Sequence, residues 1–283
     1  MRIDLHTHSA VSDGTDAPAE LVRKAREAGL DVVALTDHDT FDGLDEAVAA
    51  AGRSGIEVIR GVELSTRFGG QSVHLLGYGP DERHPGLAAE MELIRGGREL
   101  RLAPVLDRLA ALGVPLSEEQ VRVQVGGSPS IGRPHIADAL VEAGYVADRK
   151  EAFDRFLADG GPAHVPRYAV ELSRGIEKIH EAGGVAIIAH PWGRGRDRNL
   201  TEAVLTRLVS EHRLDGFEVD HQDHDLETRA RLRRLADRLG VLGTGSSDYH
   251  GTGKVDHELG CNVTSYEVFT QLTARLRPVA REA

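Results

Sequence analysis

Cysteine is almost missing from this chain. Cys261 stands alone, so no internal disulfide can form and a reducing compartment is expected. Aromatic residues make up only 4%, too few for the stacking platforms on which proteins lay single nucleic-acid strands. No apolar run approaches a membrane span, and the opening MRIDLHTHSA lacks the apolar core of a signal peptide. A soluble cytoplasmic protein is expected, as a monomer or small homo-oligomer. Positive charge is outweighed. The net charge of -11 argues against a broad basic surface for duplex DNA or an anionic membrane. It leaves room for a phosphate-bearing substrate, because bound divalent cations reverse the sign of a local site. Two hydrolase and nucleotide signatures are also absent. LGTGSS lacks the Lys-Ser/Thr ending of a phosphate loop and the spacing of a dinucleotide fingerprint. Ser246 and Ser247 do not sit in a G-x-S-x-G elbow, which disfavours a serine hydrolase.

What is present is an alternation of short apolar strands with helical patterns. The 283 residues, 40% apolar and 28% charged, suit one large α/β barrel or two smaller domains. Seven strands are expected: residues 2–8, 31–36, 56–63, 72–78, 185–191, 215–221 and 241–250. Helices are expected over 18–28, closed by Gly29, over 44–51, closed by Gly52, over 170–182, and between the later strands. From about Pro80 to Pro166 the pattern is helical throughout, as in ELRLAPVLDRLAALG and RPHIADALVEAGY. In the second, Pro134 suits a first turn and Gly144 a C-terminal cap. The expected organisation is a barrel domain of 1–79 and 167–283, interrupted by a helical insertion domain of 80–166. There is no internal repeat or low-complexity tract. Parallel strands joined by helices predict a (β/α) barrel or an open doubly wound sheet.

The chemistry gathers at strand ends. His6 and His8 lie two apart on the first strand, and a strand's period of two puts them on one face, where two imidazoles can grip a divalent metal or simply hydrogen-bond. Asp13 lies in the loop beyond. The second strand runs into TDHDT with His38, the third ends at Glu63 and the fourth carries His74. The fifth ends at His190 in AHP, and the last runs into SSDYH with Asp248 and His250. In a parallel barrel these ends share one rim, where function resides. Scattered polar loops would not place His, Asp or Glu at nearly every strand terminus, so a metal site is the reading. Asp37 and Asp39 flank His38. They either orient ligands from behind or cap the next helix. His221 and His224, in EVDHQDHD, either face the pocket or lie in a solvated loop. His180 and His212 sit on helices; His84, His164 and His257 have no visible partner.

The set HTHS, TDHD, Glu63, His74, AHP and SDYH resembles the PHP (polymerase and histidinol phosphatase) family. The resemblance spans both barrel halves and implies a distorted seven-stranded barrel with a trinuclear metal site. It implies that His6, His8, Glu63 and Asp248 hold one metal. Glu63 would bridge to a second, held also by His74 and His190, while Asp13, His38 and His250 hold the third. Every expected ligand position is filled. Two to three divalent ions are expected, drawn from Mn, Fe or Zn. Such ions give hydroxide from coordinated water at neutral pH, neutralise phosphoryl oxygens and hold an ester for in-line attack. Three ions carry more positive charge than Asp13, Glu63 and Asp248 cancel, which suits an anionic substrate.

The segment SPSIGRPHIADAL adds Arg133 and His135 at a helix start, where unpaired N–H groups and the dipole favour anions. Relatives with a GRPHIA-like element act on small phosphate esters. Some remove the 3′-phosphate of nucleoside 3′,5′-bisphosphates, and some of these trim short RNA from its 5′ end. The similarity implies that Arg133 and His135 bind phosphate. The expected function is a metal-dependent phosphoesterase acting by metal-activated hydroxide, with Glu63, Asp248 and His221 as catalytic residues. Substrate contacts come from Arg133, His135, His221 and His224. Nucleoside 3′,5′-bisphosphates or short 5′-phosphorylated RNA lead as substrates, with histidinol phosphate second. The leaving oxygen would take its proton from water, His221 or His135. Two other classes compete. A metal-dependent amidohydrolase often needs a strand-end lysine, yet Lys24, Lys150, Lys178 and Lys254 end none of the assigned strands. A non-catalytic binding module is disfavoured by the full ligand set.

Overall fold

The structure is a computed structural model that describes residues 1–276, without the side chains of 194–196. The first half alternates as read in element order: β1 (Ile3–Thr7), α1 (Pro18–Glu27), β2 (Val32–Leu35), α2 (Leu44–Ser54), β3 (Glu57–Phe68) and β4 (Gln71–Tyr78). β3 does not end at Glu63 as expected but runs on to Phe68, because its second half pairs with β4, so Glu63 sits mid-strand. Pro18 sits in the first turn of α1, where its missing N–H costs nothing. Helix α2 runs through Gly52 and stops instead at Gly55, whose left-handed φ of +64° closes the helix without Cβ strain.

Helices α3 (Pro85–Ala111), α4 (Glu118–Val125), α5 (Arg133–Glu142) and α6 (Arg149–Ala152) follow, the last continuing as a π-helical turn over Phe153–Leu157. No strand is described between β4 and β5. These helices enclose an apolar cluster of their own, including Leu102, Val105, Leu109, Val121, Ile136, Leu140 and Leu157. The alternation then resumes with β5 (Val170–Glu171), α7 (Leu172–Glu181), β6 (Val185–Ile188), α8 (Glu202–His212), β7 (Gly216–Asp220), α9 (Leu226–Leu239), β8 (Leu242–Gly245) and α10 (Tyr266–Thr273).

Seven strands form a continuous path, β1-β2-β3-β4-β6-β7-β8, with the two-residue β5 paired to β3 off the path. The ends of the path approach each other: Thr7 bridges Tyr249, and the His8 N–H donates to the Tyr249 carbonyl at 2.8 Å. The result is a nearly closed, distorted barrel in an α/β fold.

The distortion has a local cause. β3 and β4 are joined by Gly69 and Gly70, both at positive φ, and so pair antiparallel. Two residues make a hairpin but cannot make a parallel crossover. β4 therefore also runs antiparallel to β6. His74 accordingly reaches the rim from early in its strand, paired with Ser65, rather than from a strand's C-terminal end.

One apolar cluster joins Ile3, Leu5, Val32, Ala34, Leu76, Tyr78, Ile187 and Leu242 across the sheet, with Phe269 and Leu272 of α10 packed onto it. A second joins β3, β4, β6 and β7 to α7, α8 and α9 and takes in Leu87, Met91 and Ile94 from the first half of α3, and a third lies between α1, α2 and β2. Each fully buried Leu or Ile contributes about 1.5–3 kcal/mol relative to exposure. That closed apolar base lets the rim carry buried charge.

Candidate metal centre

At the rim, the residues expected from strand ends converge. His6 and His8 project from the same face of β1 with ring centroids 5.0 Å apart. Their Nε2 atoms meet at 3.0 Å. Glu63 lies between the imidazoles. Its Oε2 is 3.3 Å from His6 Nε2, 3.1 Å from His8 Nε2 and 3.1 Å from His38 Nδ1. Its Oε1 is 3.0 Å from His74 Nδ1 and 3.5 Å from His190 Nε2. Asp248 Oδ1 is 3.5 Å from His6 Nε2 and 3.6 Å from His8 Nε2. Asp13 places Oδ1 3.3 Å from His250 Nε2 and Oδ2 3.6 Å from His38 Nε2. Four overlapping sets have ligand atoms close enough to share an ion: His8, Asp13, His38 and His250; His6, His8 and Asp248; His38, Glu63 and His74; His190, His221 and Asp248.

The donor set fits metal ions. Glu63 Oε1 and His38 Nδ1 are buried without a hydrogen-bond partner, and two ring nitrogens face each other across 3.0 Å in His6 and His8. Buried polar atoms left unsatisfied are costly, and cations between them would satisfy all of these at once. The backbone is also strained here. Asp39, His190 and Asp248 have φ of 55°, 29° and 54°, a region non-glycine residues avoid unless their surroundings impose it.

Behind the rim, buried carboxylates fix the imidazoles and loops. Glu218 is wholly buried. It pairs with His6 Nδ1 at 3.1 Å, accepts the His190 N–H at 2.7 Å and takes a short bond from the Ser246 hydroxyl. With Glu218 on Nδ1, His6 directs Nε2 to the centre. Asp4 accepts the N–H groups of Ser247 and Gly260, fixing the turn before Asp248. Asp37 accepts from the Ser9 N–H and from the Ser9 and Ser12 hydroxyls, which sets the loop bearing Asp13. Asp39 accepts from the Ser65 N–H and hydroxyl and from Arg98. Both flanking aspartates thus orient rather than cap. Lys254 ion-pairs with Asp248 Oδ2.

Charges at the centre are mutually dependent. Burial alone would raise the Glu63 carboxyl, but His74, His38 and His6 hold it well below the usual carboxylate range. Burial would likewise raise Asp248, yet Lys254 and His6 hold it well below. Burial pushes His6 down, but Glu63, Asp248 and Glu218 lift it well above its ordinary 6.5, and Glu63 lifts His8 similarly against its own burial. Burial lowers His38 to about 3, leaving it neutral. A raised histidine holds its proton at neutral pH until a metal takes the lone pair. Metal uptake should therefore expel protons, and affinity should fall as the pH falls. Calorimetric titration of the metal-free protein with Mn²⁺ at pH 7, in buffers of different ionisation heat, is expected to show release of about one proton or more. Heats independent of buffer would contradict this.

His221 also enters the centre. Its Nε2 is 3.2 Å from Asp248 Oδ2, and its Nδ1 accepts the Asp223 N–H at 3.0 Å. His224 is packed behind it and spends both ring nitrogens on backbone, Nδ1 on the Val219 carbonyl and Nε2 on the Trp192 N–H. His135 is buried, and its Nδ1 accepts the Gly132 N–H at 2.9 Å, capping α5. Arg133 bonds the Leu157 carbonyl at 2.9 Å and Asp159 at 2.6 Å, with its guanidinium 5.6 Å from the Phe153 ring centroid. A cavity of about 260 Å³ lies between the loop after β1 and the helices, lined by Gly14, Thr15, His135, Asp138 and Arg149 among others. Arg149 pairs with Asp138 and reaches the Asp13 and Gly253 carbonyls, tying the helices to that loop. His257, unassigned from sequence, lies 5.8 Å from His221 between ring centroids.

The PHP domain model matches residues 4–102. A 5′-3′ exoribonuclease of Haemophilus influenzae is 36% identical over 88% of this chain and 90% of its own length. A 3′,5′-nucleoside bisphosphate phosphatase of Chromobacterium violaceum is 36% identical over 91% of this chain and 90% of its own. The crystal structure of a Bifidobacterium adolescentis protein, assigned as a metal-dependent phosphoesterase, superposes with a TM-score of 0.93 at 34% identity, covering 99% of this chain and 98% of that one. Fold and site together define a metal-dependent hydrolase of phosphate esters. The chain belongs to the PHP family. Among the described residues no helix is long and apolar enough to cross a membrane.

Proposed function

We propose that this phosphoesterase breaks the bond between phosphorus and the 3′ oxygen of a 5′-terminal nucleotide. Its substrates are nucleoside 3′,5′-bisphosphates or short 5′-phosphorylated RNA, and one bond accounts for the activities named for both relatives. In this reading residues 80–166 are a helical domain inserted in the barrel of 1–79 and 167–283, and they carry substrate contacts. His6, His8, Glu63 and Asp248 hold one divalent ion, and His74 and His190 hold a second with Glu63. Asp13, His38 and His250 hold a third. The observation carrying this is the split of Glu63, with one oxygen toward His6, His8 and His38 and the other toward His74 and His190. When bound, such ions acidify water and neutralise phosphoryl oxygens.

The protein's own groups bind the ester and move protons. Arg133 and His135 contact phosphate from the start of α5. The Nδ1 atoms of His135 and His221 each accept a backbone N–H, so in the neutral ring Nε2 carries the proton. Either can donate toward the leaving 3′ oxygen, and His221 is the nearer to Asp248. His224 is a positioning residue behind His221. The test is phosphate release from adenosine 3′,5′-bisphosphate, p-nitrophenyl phosphate and histidinol phosphate with Mn²⁺, before and after chelation. The bisphosphate should show the highest kcat/KM, and chelation should abolish release. No phosphate from any ester would overturn the reading; equal or better turnover of histidinol phosphate would reverse the substrate order.

A further inference from the structure

One arginine stands where a helix least favours it. Arg229 closes the first turn of α9, near the positive end of the helix dipole, where a cation is disfavoured. Its half-buried side chain turns back over the helix start and divides its donors among several pieces of chain. Nε donates to the His224 carbonyl at 3.0 Å, and one terminal nitrogen to the His221 carbonyl at 2.7 Å. The other terminal nitrogen donates to Asn262 Oδ1 at 2.8 Å. Asn262 is buried and lies in the chain returning from the loop that bears Asp248 and His250. Its amide donates in turn to Gln222 Oε1 at 3.1 Å.

The brace acts on the turn that carries His221. The His224 N–H donates to the His221 carbonyl at 3.1 Å and closes residues 221–224. The two carbonyls held by Arg229 are therefore the two ends of that turn. Within it the Asp223 N–H donates to His221 Nδ1 at 3.0 Å. The His221 ring is thus aimed by the backbone of its own turn, and Arg229 fixes that backbone. With Nδ1 an acceptor, the neutral ring carries its proton on Nε2, 3.2 Å from Asp248 Oδ2. A turn has no sheet or helix ladder to hold it, so the ring is only as well directed as these bonds make it. A planar guanidinium can serve acceptors on several segments at once, whereas an ammonium is a single point donor.

We infer that Arg229 is a positioning residue for the leaving group: through the 221–224 turn it holds the His221 Nε2–H where the leaving 3′ oxygen develops charge. The inference rests on the phosphoesterase reading and deepens it. Arg229 itself touches no substrate. The neutral His221 ring keeps its proton and offers it as a hydrogen bond. As the P–O bond breaks, its electron pair stays on the 3′ oxygen, which takes its proton from water. A donor fixed in place before charge develops is worth most, because nothing has to reorganise at the moment of reaction. The contribution depends on the leaving group. A ribose alkoxide concentrates charge on one oxygen and needs the donor. p-Nitrophenolate spreads its charge over ring and nitro group and needs it little.

The test compares the intact Mn²⁺-loaded enzyme with Arg229→Lys on adenosine 3′,5′-bisphosphate and p-nitrophenyl phosphate. Lysine keeps the charge but cannot reach all the acceptors. On the bisphosphate kcat should fall about 10- to 100-fold with KM little changed, and on p-nitrophenyl phosphate by about threefold or less. Arg229→Gln, which keeps a planar donor, should fall between wild type and Arg229→Lys. Metal content should match wild type in both. In a His221→Gln background Arg229→Lys should cost little more, since both changes act on one hydrogen bond. Equal loss on both esters is what a merely structural brace gives, and it would overturn the inference. So would no loss, a loss carried by KM or by metal content, or full additivity with His221→Gln. Ring-nitrogen NMR of the chelated protein gives a readout without turnover. The wild type should show His221 as the Nε2–H tautomer and Arg229→Lys a mixture of the two. A His221 signal unchanged in the variant overturns the positioning role. If the wild type hydrolyses neither ester, the phosphoesterase reading fails, and the NMR comparison still decides whether Arg229 directs His221.

Discussion

Replacing Glu63 with glutamine is expected to lower kcat/KM for phosphate esters by about 1,000-fold or more, with little change in fold. The carboxylate is 1% exposed and lies within 3.5 Å of five imidazoles. Glutamine keeps the volume but removes the charge and turns one oxygen into a donor. That donor would face imidazole nitrogens on one side of the centre, whichever way the amide turns. One ion position would lose a ligand outright. Metal ions contribute several kcal/mol to stabilising phosphoryl transfer, and each 1.36 kcal/mol is a factor of ten, which sets the size of the loss. Circular dichroism should be unchanged, because the apolar clusters do not include Glu63. Retention of more than a tenth of wild-type kcat/KM would remove Glu63 from the centre of the mechanism.

The second large effect is expected at Glu218, which touches no substrate in this account. Glu218→Ala would strip the partner from His6 Nδ1 and the acceptor from the His190 N–H, both buried. Breaking a buried charged pair from one side costs about 3–5 kcal/mol, so a marked drop in melting temperature is expected in the chelated protein. Without Glu218 the His6 ring loses the contact that aims Nε2. Outer partners of this kind change metal affinity by about 10- to 100-fold. Competition with a coloured chelator reads that change directly. A variant with wild-type stability and affinity would show that Glu218 merely fills space.

Much of this was legible in the sequence because strand ends and side-chain alternation are local properties. His6 and His8 needed only a period of two. His190, Asp248 and His250 needed only the rule that parallel strands share a rim; Glu63 reaches the rim from mid-strand, since β3 runs on to Phe68. Other parts were less visible. A lone carboxylate inside an apolar strand, as in Asp4 and Glu218, looks like an edge or surface residue until its partner is known, and that partner lies 212 residues away for His6 and Glu218. The signal was there in GFEVD, a charge between Phe217 and Val219 where a half-buried strand would expose it. The antiparallel turn at Gly69–Gly70 was also readable, since paired glycines between strands mark hairpins. Lys254 and the arginines of α3 gave no local sign. Their meaning depends on where the helical stretch folds back, which no spacing rule supplies. Helix α2 passed its expected stop because Gly52 keeps a helical backbone and the left-handed residue that ends the helix comes only at Gly55.

The central claim is that nine side chains, from His6 to His250, gather around a shared set of divalent ions. Elemental analysis of gently purified protein, wild type beside Glu63→Gln, tests it most directly. The wild type is expected to hold two to three equivalents of Mn, Fe or Zn per chain and the variant at least one fewer, with turnover following the count. Less than one equivalent in the wild type after loading with excess Mn²⁺, or full activity in excess chelator, would contradict the account.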